Sequence, residues 1–226
     1  MNRTAMPKGE NTMIKAAHLY YDLLNLYGDS GNLKALTHHL KERGVNVTVD
    51  RFALGESFHP EDYDFVYLGS GTEHNLLLAL DDMGGLQKEF ADYKKNGGIL
   101  LATGNSLELF GKEIHSGEKV YKALGLFDFT VSHGERIVRD VCVPCELTEN
   151  ELLGFENHSG SISSTDPILV DDNFYLTYLI GPVLVRNPQL NEFFIQMLLT
   201  KQHETSAKAP DYTLEQKAYE VFTASL

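Results

Sequence analysis

The chain has 226 residues, 42% of them hydrophobic, and a formal net charge of −13. That length supports one sizeable core, and an acidic surface disfavours nucleic acid, which calls for clustered Lys and Arg. No apolar run approaches the roughly 20 residues of a membrane-spanning helix and no signal-peptide core is visible, so the expectation is a soluble, cytoplasmic protein without membrane insertion.

Residues 1–13 are polar and unpatterned and read as a disordered arm or a tag. Residues 14–21 are apolar, end at Asp22 and predict a first strand. A glycine-punctuated loop, Leu26-Tyr27-Gly28-Asp29-Ser30-Gly31-Asn32, follows. Leu33, Leu36 and Leu40 then recur at helical spacing over 32–43, and Gly44 stops that helix. Residues 45–52 and 63–68 predict two more strands, the latter running into the flexible turn Gly69-Ser70-Gly71-Thr72. A helix over 76–95, interrupted at Gly84-Gly85, leads to a fourth strand behind Gly97-Gly98. That strand turns at Thr103-Gly104-Asn105 and reads as a helix opening with Ser106. Strand, tight turn and helix start form the shape that raises a nucleophile above a parallel sheet.

The second half differs. Residues 127–131, 136–146, 154–158 and 174–179 are short β-like runs without long helices between them, expected as antiparallel strands appended to or continuing the sheet. An amphipathic helix over 191–201, a polar linker over 203–211 and a last helix over 214–222, docked on a partner or on the body, complete the chain. The fold class is therefore α/β, an open sheet with flanking helices and added antiparallel strands. The domain expectation is one unit over 14–200, with 201–226 as linker and C-terminal helix.

Cys142 and Cys145 are spaced C-x-x-C inside a strand-like run, where residues three apart face opposite sides, so they read as buried structural thiols. Half a zinc site is the other reading, but no second pair exists; no metal and no cofactor are expected. In an open α/β sheet ligands bind beyond the C-terminal strand ends. The loops 28–32, 69–74 and 103–106 fall there.

Five segments occur in one order: the 26–32 loop, Gly69-Ser70-Gly71, the turn over 102–111, Gly154-Phe155-Glu156-Asn157-His158-Ser159-Gly160, and residues 177–188 with Gly181-Pro182 and Asn187-Pro188. As a set, over roughly 14–200, they resemble the cobyric acid synthase-like class I glutamine amidotransferases, and within them the glutaminase subunits of lipid II isoglutaminyl synthases. The resemblance implies a flavodoxin-like fold and hydrolysis of glutamine. It implies ammonia delivery to a Mur-ligase-like synthetase that amidates the peptidoglycan stem peptide. In such enzymes a Cys at the turn attacks the amide, a His in the last motif is base and acid, and backbone N–H groups hold the oxyanion. The resemblance carries Gly69 and Gly71 over as backbone donors and Arg136 as the contact for a glutamine carboxylate.

Two positions depart from that pattern. The family's Cys-Gly-Gly-Tyr-Gln-x-x-Gly aligns with Gly104-Asn105-Ser106-Leu107-Glu108-Leu109-Phe110-Gly111, so Gly104 stands at the nucleophile. Ile180 stands where the family has its His. The pair acts as one chemical unit, so this sequence is read as a catalytically degenerate homologue with a structural, regulatory or ligand-binding role. The alternative is an amidohydrolase with rearranged residues, Ser106 as nucleophile and His158 or His74 as base. Against it, Ser106 reads as a helix cap and His158 as a hydrogen-bonded strand residue. Glu108 replaces the family Gln and adds negative charge; Asp29 reads as the cap of the next helix.

Overall fold

Apolar runs bounded by glycine turns become a central sheet in a computed structural model that describes residues 13–203 and 211–225. The expectations for residues 1–12 and for linker residues 204–210 fall outside the described residues, while Met13, expected in the N-terminal arm, begins the first strand.

The strands are β1 (Met13–Leu19), β2 (Asn46–Phe52), β3 (Phe65–Leu68), β4 (Ile99–Thr103), β5 (Glu113–Ser116), β6 (Lys119–Lys122), β7 (Thr130–Val143), β8 (Leu152–Ser161), β9 (Leu169–Asp171) and β10 (Phe174–Thr177). The helices are α1 (Ser30–Glu42), α2 (Glu73–Met83), α3 (Gln87–Lys95), α4 (Val183–Arg186), α5 (Pro188–Lys201) and α6 (Thr213–Thr223). The central sheet runs β2-β1-β3-β4-β10-β9, all parallel except the edge strand β9. β3, β4 and β10 are buried along their whole length. That follows from their position, with helices covering both faces of a parallel sheet. Leu76, Met83, Phe90 and Tyr93 of α2 and α3 pack on one face. Leu33, Leu36 and Leu40 of α1 with Phe194 and Leu198 of α5 pack on the other. The strand order reverses direction between β1 and β3, which puts a ligand crevice at their C-terminal ends.

A second, four-stranded sheet, β6-β5-β7-β8, lies in the chain between β4 and β10. The structure corrects the sequence expectation in several places here. Residues 174–179 do not form an antiparallel appendage: β10 pairs parallel with β4. The runs 127–131 and 136–146 merge into one strand, β7, whose register with β8 shifts between His133 and Ile137. β5, β6 and the single turn α4 had no counterpart, being too short for periodicity to register. The turn after β4 opens a 3-10 segment, Gly104–Phe110, and no α-helix begins at Ser106. The cysteines are half-buried, not buried, and Cys145 lies beyond the end of β7. Partial burial and the Glu151 carboxylate, 3.1 Å from its Sγ, push the Cys142 thiol up to about 11, away from redox reactivity.

Buried amides hold the last segment to the sheet. Asn187 Nδ2 donates to the Leu153 and Val183 carbonyls, both at 2.8 Å, and its Oδ1 accepts from the Leu153 N–H at 2.8 Å. Asn32 Oδ1 accepts from the Leu184 N–H at 2.8 Å, and a Cβ on Gly31 would fall 2.6 Å from the Pro182 ring. Gly31 thus lets the start of α1 touch the Gly181-Pro182 turn. α6 docks on the body: Tyr219 donates to the Glu151 carbonyl at 2.8 Å, Tyr212 to Glu192 at 2.8 Å, and Arg186 lies over the Phe222 ring.

Asn187→Ala strips both backbone groups of Leu153 of their buried partner. We expect a loss of about 2–4 kcal/mol, read as a lowered urea midpoint with an unchanged slope.

Candidate functional site

The site begins at a residue with no side chain. β4 delivers Thr103 in extended geometry, and Gly104 follows at φ +64°. This is the left-handed region that glycine enters freely and that a nucleophile-bearing turn uses. Space is the second constraint. A Cβ on Gly104 would stand 2.5 Å from both Cβ and Oγ of Ser70 and 2.8 Å from Cγ2 of Ile180. The two positions that sequence comparison singles out, Gly104 and Ile180, therefore face each other across a filled gap. Ile180 is buried and bridged to Phe155 through both backbone groups.

The donors beside the turn are also taken. Asn105 Oδ1 accepts from the Gly71 N–H at 3.0 Å and from Ser70 Oγ at 3.2 Å, while its Nδ2 donates to the Gly71 carbonyl at 3.0 Å. The amide side chain thus occupies both backbone groups of Gly71. Ser106 is fully buried, and its hydroxyl donates to the Thr103 carbonyl at 2.9 Å and the Leu68 carbonyl at 3.3 Å. It caps no helix, contrary to the sequence expectation, and points back into the sheet.

Next to the turn, a buried acid organises a polar cluster. Glu108 is 1% exposed; its Oε2 lies 2.7 Å from His133 Nε2 and its Oε1 accepts from the Tyr178 hydroxyl at 3.3 Å. The hydrogen bond to Glu108 raises the His133 pKa against the opposing effect of burial. His158 stacks flat on Tyr178, with ring centroids 3.7 Å apart. Its Nδ1 bonds the Gly160 carbonyl at 2.7 Å, while its Nε2 is buried with no partner among the described residues. Burial lowers its pKa, which keeps the ring neutral.

A cleft of about 350 Å³ opens above these groups, lined by Tyr27, Gly71, Asn105, Glu108, Arg136 and His158 among others. Gly71 and Arg136 both line it; Arg136 Nε donates to Asn157 Oδ1 at 2.7 Å, and Asn157 in turn donates to the Tyr27 hydroxyl at 2.9 Å. His74 also lines it. Gly69 does not: it is buried behind the cleft, where a Cβ would meet the Leu24 carbonyl at 2.4 Å. His158 separates this cleft from a cavity of about 320 Å³ near Arg139, Glu156 and Tyr178. Ser70, Asn105, His133 and Tyr178 were not singled out by sequence, because their partners lie 25–70 residues away in the chain.

Asp29 sits at the cap position of α1 but makes no capping bond. Its Oδ2 instead accepts from the Ser70 N–H at 2.5 Å, and its Oδ1 is buried without a partner among the described residues. Burial raises its pKa from 3.8 to about 7, partly offset by the Ser70 bond. Folding therefore takes up a proton between those values, and stability falls as pH rises through that window. Asp29→Asn is expected to flatten the fall, which is on the order of 4 kcal/mol, in urea titrations across pH. The His133–Glu108 contribution has the same direction: it is complete below 6.5 and lost as pH rises through the elevated folded value. Gly104→Ala adds a Cβ at positive φ against Ser70 and should cost about 2–4 kcal/mol in the same assay.

Known proteins match this arrangement. Residues 15–173 match the CobB/CobQ-like glutamine amidotransferase domain. The lipid II isoglutaminyl synthase (glutamine-hydrolyzing) subunit GatD of Streptococcus pneumoniae is 27% identical over 222 residues, covering 88% of this chain and 85% of that protein. The subunit of the same name from Staphylococcus aureus is 25% identical over 199 residues, covering 79% and 82%. A crystal structure of a glutamine amidotransferase superposes with a TM-score of 0.52 at 14% identity, covering 80% of this chain and 98% of that one. PurLQS from Thermotoga maritima gives 0.50 at 13% identity, covering 84% and 99%. The last two establish the fold alone. With most of its length matched, from β1 to the turn before β10, the chain belongs to the CobB/CobQ-like glutamine amidotransferase family.

Proposed function

We propose that the chain is the amidotransferase-type subunit of a lipid II-amidating enzyme, paired with a Mur-ligase-like synthetase, and that its own cleft does not hydrolyse glutamine. The pathway rests on the two GatD relatives. The loss of hydrolysis rests on one observation: the space a nucleophile's side chain would need at Gly104 holds Ser70 and Ile180. Asn105 adds to it by engaging the Gly71 N–H, the donor an oxyanion would need. The amidotransferase unit spans 14–200, and 201–226 attaches as linker and C-terminal helix. Arg136 is the group best placed to hold a carboxylate in the cleft, so glutamine or a related small amino acid remains a fitting ligand.

Nothing in the geometry favours the rearranged hydrolase. The Ser106 hydroxyl is committed to two main-chain carbonyls, and no imidazole is among its partners in the described residues. A nucleophile needs a base within hydrogen-bond reach.

Purified protein given glutamine is expected to release no ammonia above buffer, alone or with the synthetase. In the complex, amidation of lipid II should follow added ammonium rather than added glutamine. Glutamine-dependent ammonia release that disappears in Ser106→Ala would reverse this reading. Gly104→Cys alone should not install activity, because the new thiol collides with Ser70 and Ile180 and finds the Gly71 N–H occupied.

A further inference from the structure

Away from the cleft, the last turn of α1 gathers two imidazoles and a carboxylate. His38 Nε2 lies 3.7 Å from Glu42 Oε2, and His39 Nδ1 lies 3.3 Å from the same oxygen. The three donor atoms are all within 4.8 Å of one another, the one such set among the described residues. Helical spacing explains the set: residues three and four apart share a face, so Glu42 meets both rings.

His39 adds a second, independent observation. It is 3% exposed, and its other nitrogen, Nε2, lies 3.3 Å from Glu215 Oε1 on α6. Both ring nitrogens thus face carboxylates, Nδ1 toward Glu42 and Nε2 toward Glu215. This is the setting of a ligating imidazole, with a metal ion on the Nδ1 side. Nδ1 then gives its lone pair to the metal, and the Nε2–H donates to Glu215, the carboxylate–histidine–metal arrangement that orients ligating histidines.

We propose that His38, His39 and Glu42 form a zinc-binding site, with Glu215 as its positioning residue. Two nitrogens and one carboxylate oxygen suit zinc better than the all-oxygen sets of magnesium and calcium. Ligand atoms around tetrahedral zinc sit about 3.3 Å apart, given bond lengths of about 2.0–2.1 Å. The separations of each imidazole from Glu42, 3.3 and 3.7 Å, are close to that value, and the two imidazole nitrogens lie within 4.8 Å of each other. The side chain of His38 is 63% exposed and that of Glu42 38%, which leaves water access to a fourth position. The site lies at the C-terminal end of α1, where the helix dipole favours a cation. Because Glu215 belongs to α6, the ion would fasten the C-terminal helix to α1, beside the His39–Tyr212 ring contact at 4.4 Å.

The test is calorimetric titration of zinc chloride into the chelator-treated full chain, with hydrogen exchange over residues 213–223. One zinc per chain and slower exchange in α6 are expected. His38→Ala and Glu42→Gln, both at exposed positions, should weaken binding at least tenfold without loss of helix signal. Glu215→Ala should weaken it by roughly 10–100-fold. The Cys142→Ser/Cys145→Ser double variant should bind as the parent does. The proposal is overturned by a parent chain that takes up no stoichiometric zinc, by an affinity indifferent to His38→Ala and Glu42→Gln, or by binding that vanishes with the two thiols.

Discussion

No side chain fits at the apex of the turn after β4, and the surroundings of the cleft are arranged around that fact. Gly104 takes a positive φ that relieves the backbone, and its missing Cβ admits Ser70 from one side and Ile180 from the other. Ser70 in turn is fixed by Asp29 through its N–H and by Asn105 through its hydroxyl. Asn105 completes the closure by bonding both backbone groups of Gly71. An amidotransferase turn exposes a reactive atom and idle donors; here the same backbone shape is packed shut, and the Ser70 and Gly71 N–H groups beside it both have protein acceptors. Close packing of this kind is costly to reopen, because each neighbour is held by a separate bond.

The segments that carry the family resemblance hold the architecture as well as the chemistry. Asn32 ties α1 to the start of α4 and also donates to Tyr67, whose hydroxyl shares a 2.8 Å hydrogen bond with Thr103 at the end of β4. Asn187 ties α4 to β8. Asn157 reaches across to Tyr27. Leaving the buried groups of Asn32, Tyr67 or Asn187 unpaired costs more than the bond gains, so these ties persist whether or not the site reacts. This explains how a chain can keep the frame of its family while the two positions of the chemical unit differ.

Much of the parallel sheet was legible in the sequence, since β1, β3 and β4 are apolar runs, β2 alternates, and helical spacing follows β1 and β3. The alternation fails after β4, and so did the reading: β10 looks like any short apolar strand, and only its contact with β4 reveals that it is parallel. β5 and β6 are too short and too polar to signal themselves. Within the site, Gly104 and Ile180 could be named from motif positions, as could the cleft residues Gly71 and Arg136. The partners of Ser106 and Asp29 could not. Both residues have the composition of helix caps, yet both turn to tertiary acceptors or donors instead, Ser106 to the Leu68 carbonyl and Asp29 to the Ser70 N–H. Local capping preference yields here to buried main-chain groups supplied by the tertiary fold.

The position of β10 also has a kinetic side. β4 is a central strand, but the neighbour that covers its free edge comes from the far side of the small sheet, after Asp171 and beyond the whole β7–β8 pair. During synthesis the first four strands and α1 to α3 emerge with that edge unpaired and fully apolar. The main sheet closes only when the excursion has folded far enough to return β10 to Ile99–Thr103. Such long-range closure is slow, and an uncovered apolar strand edge is a template for pairing with other chains. The arrival of β10 is therefore the step that ends this exposure to misassembly.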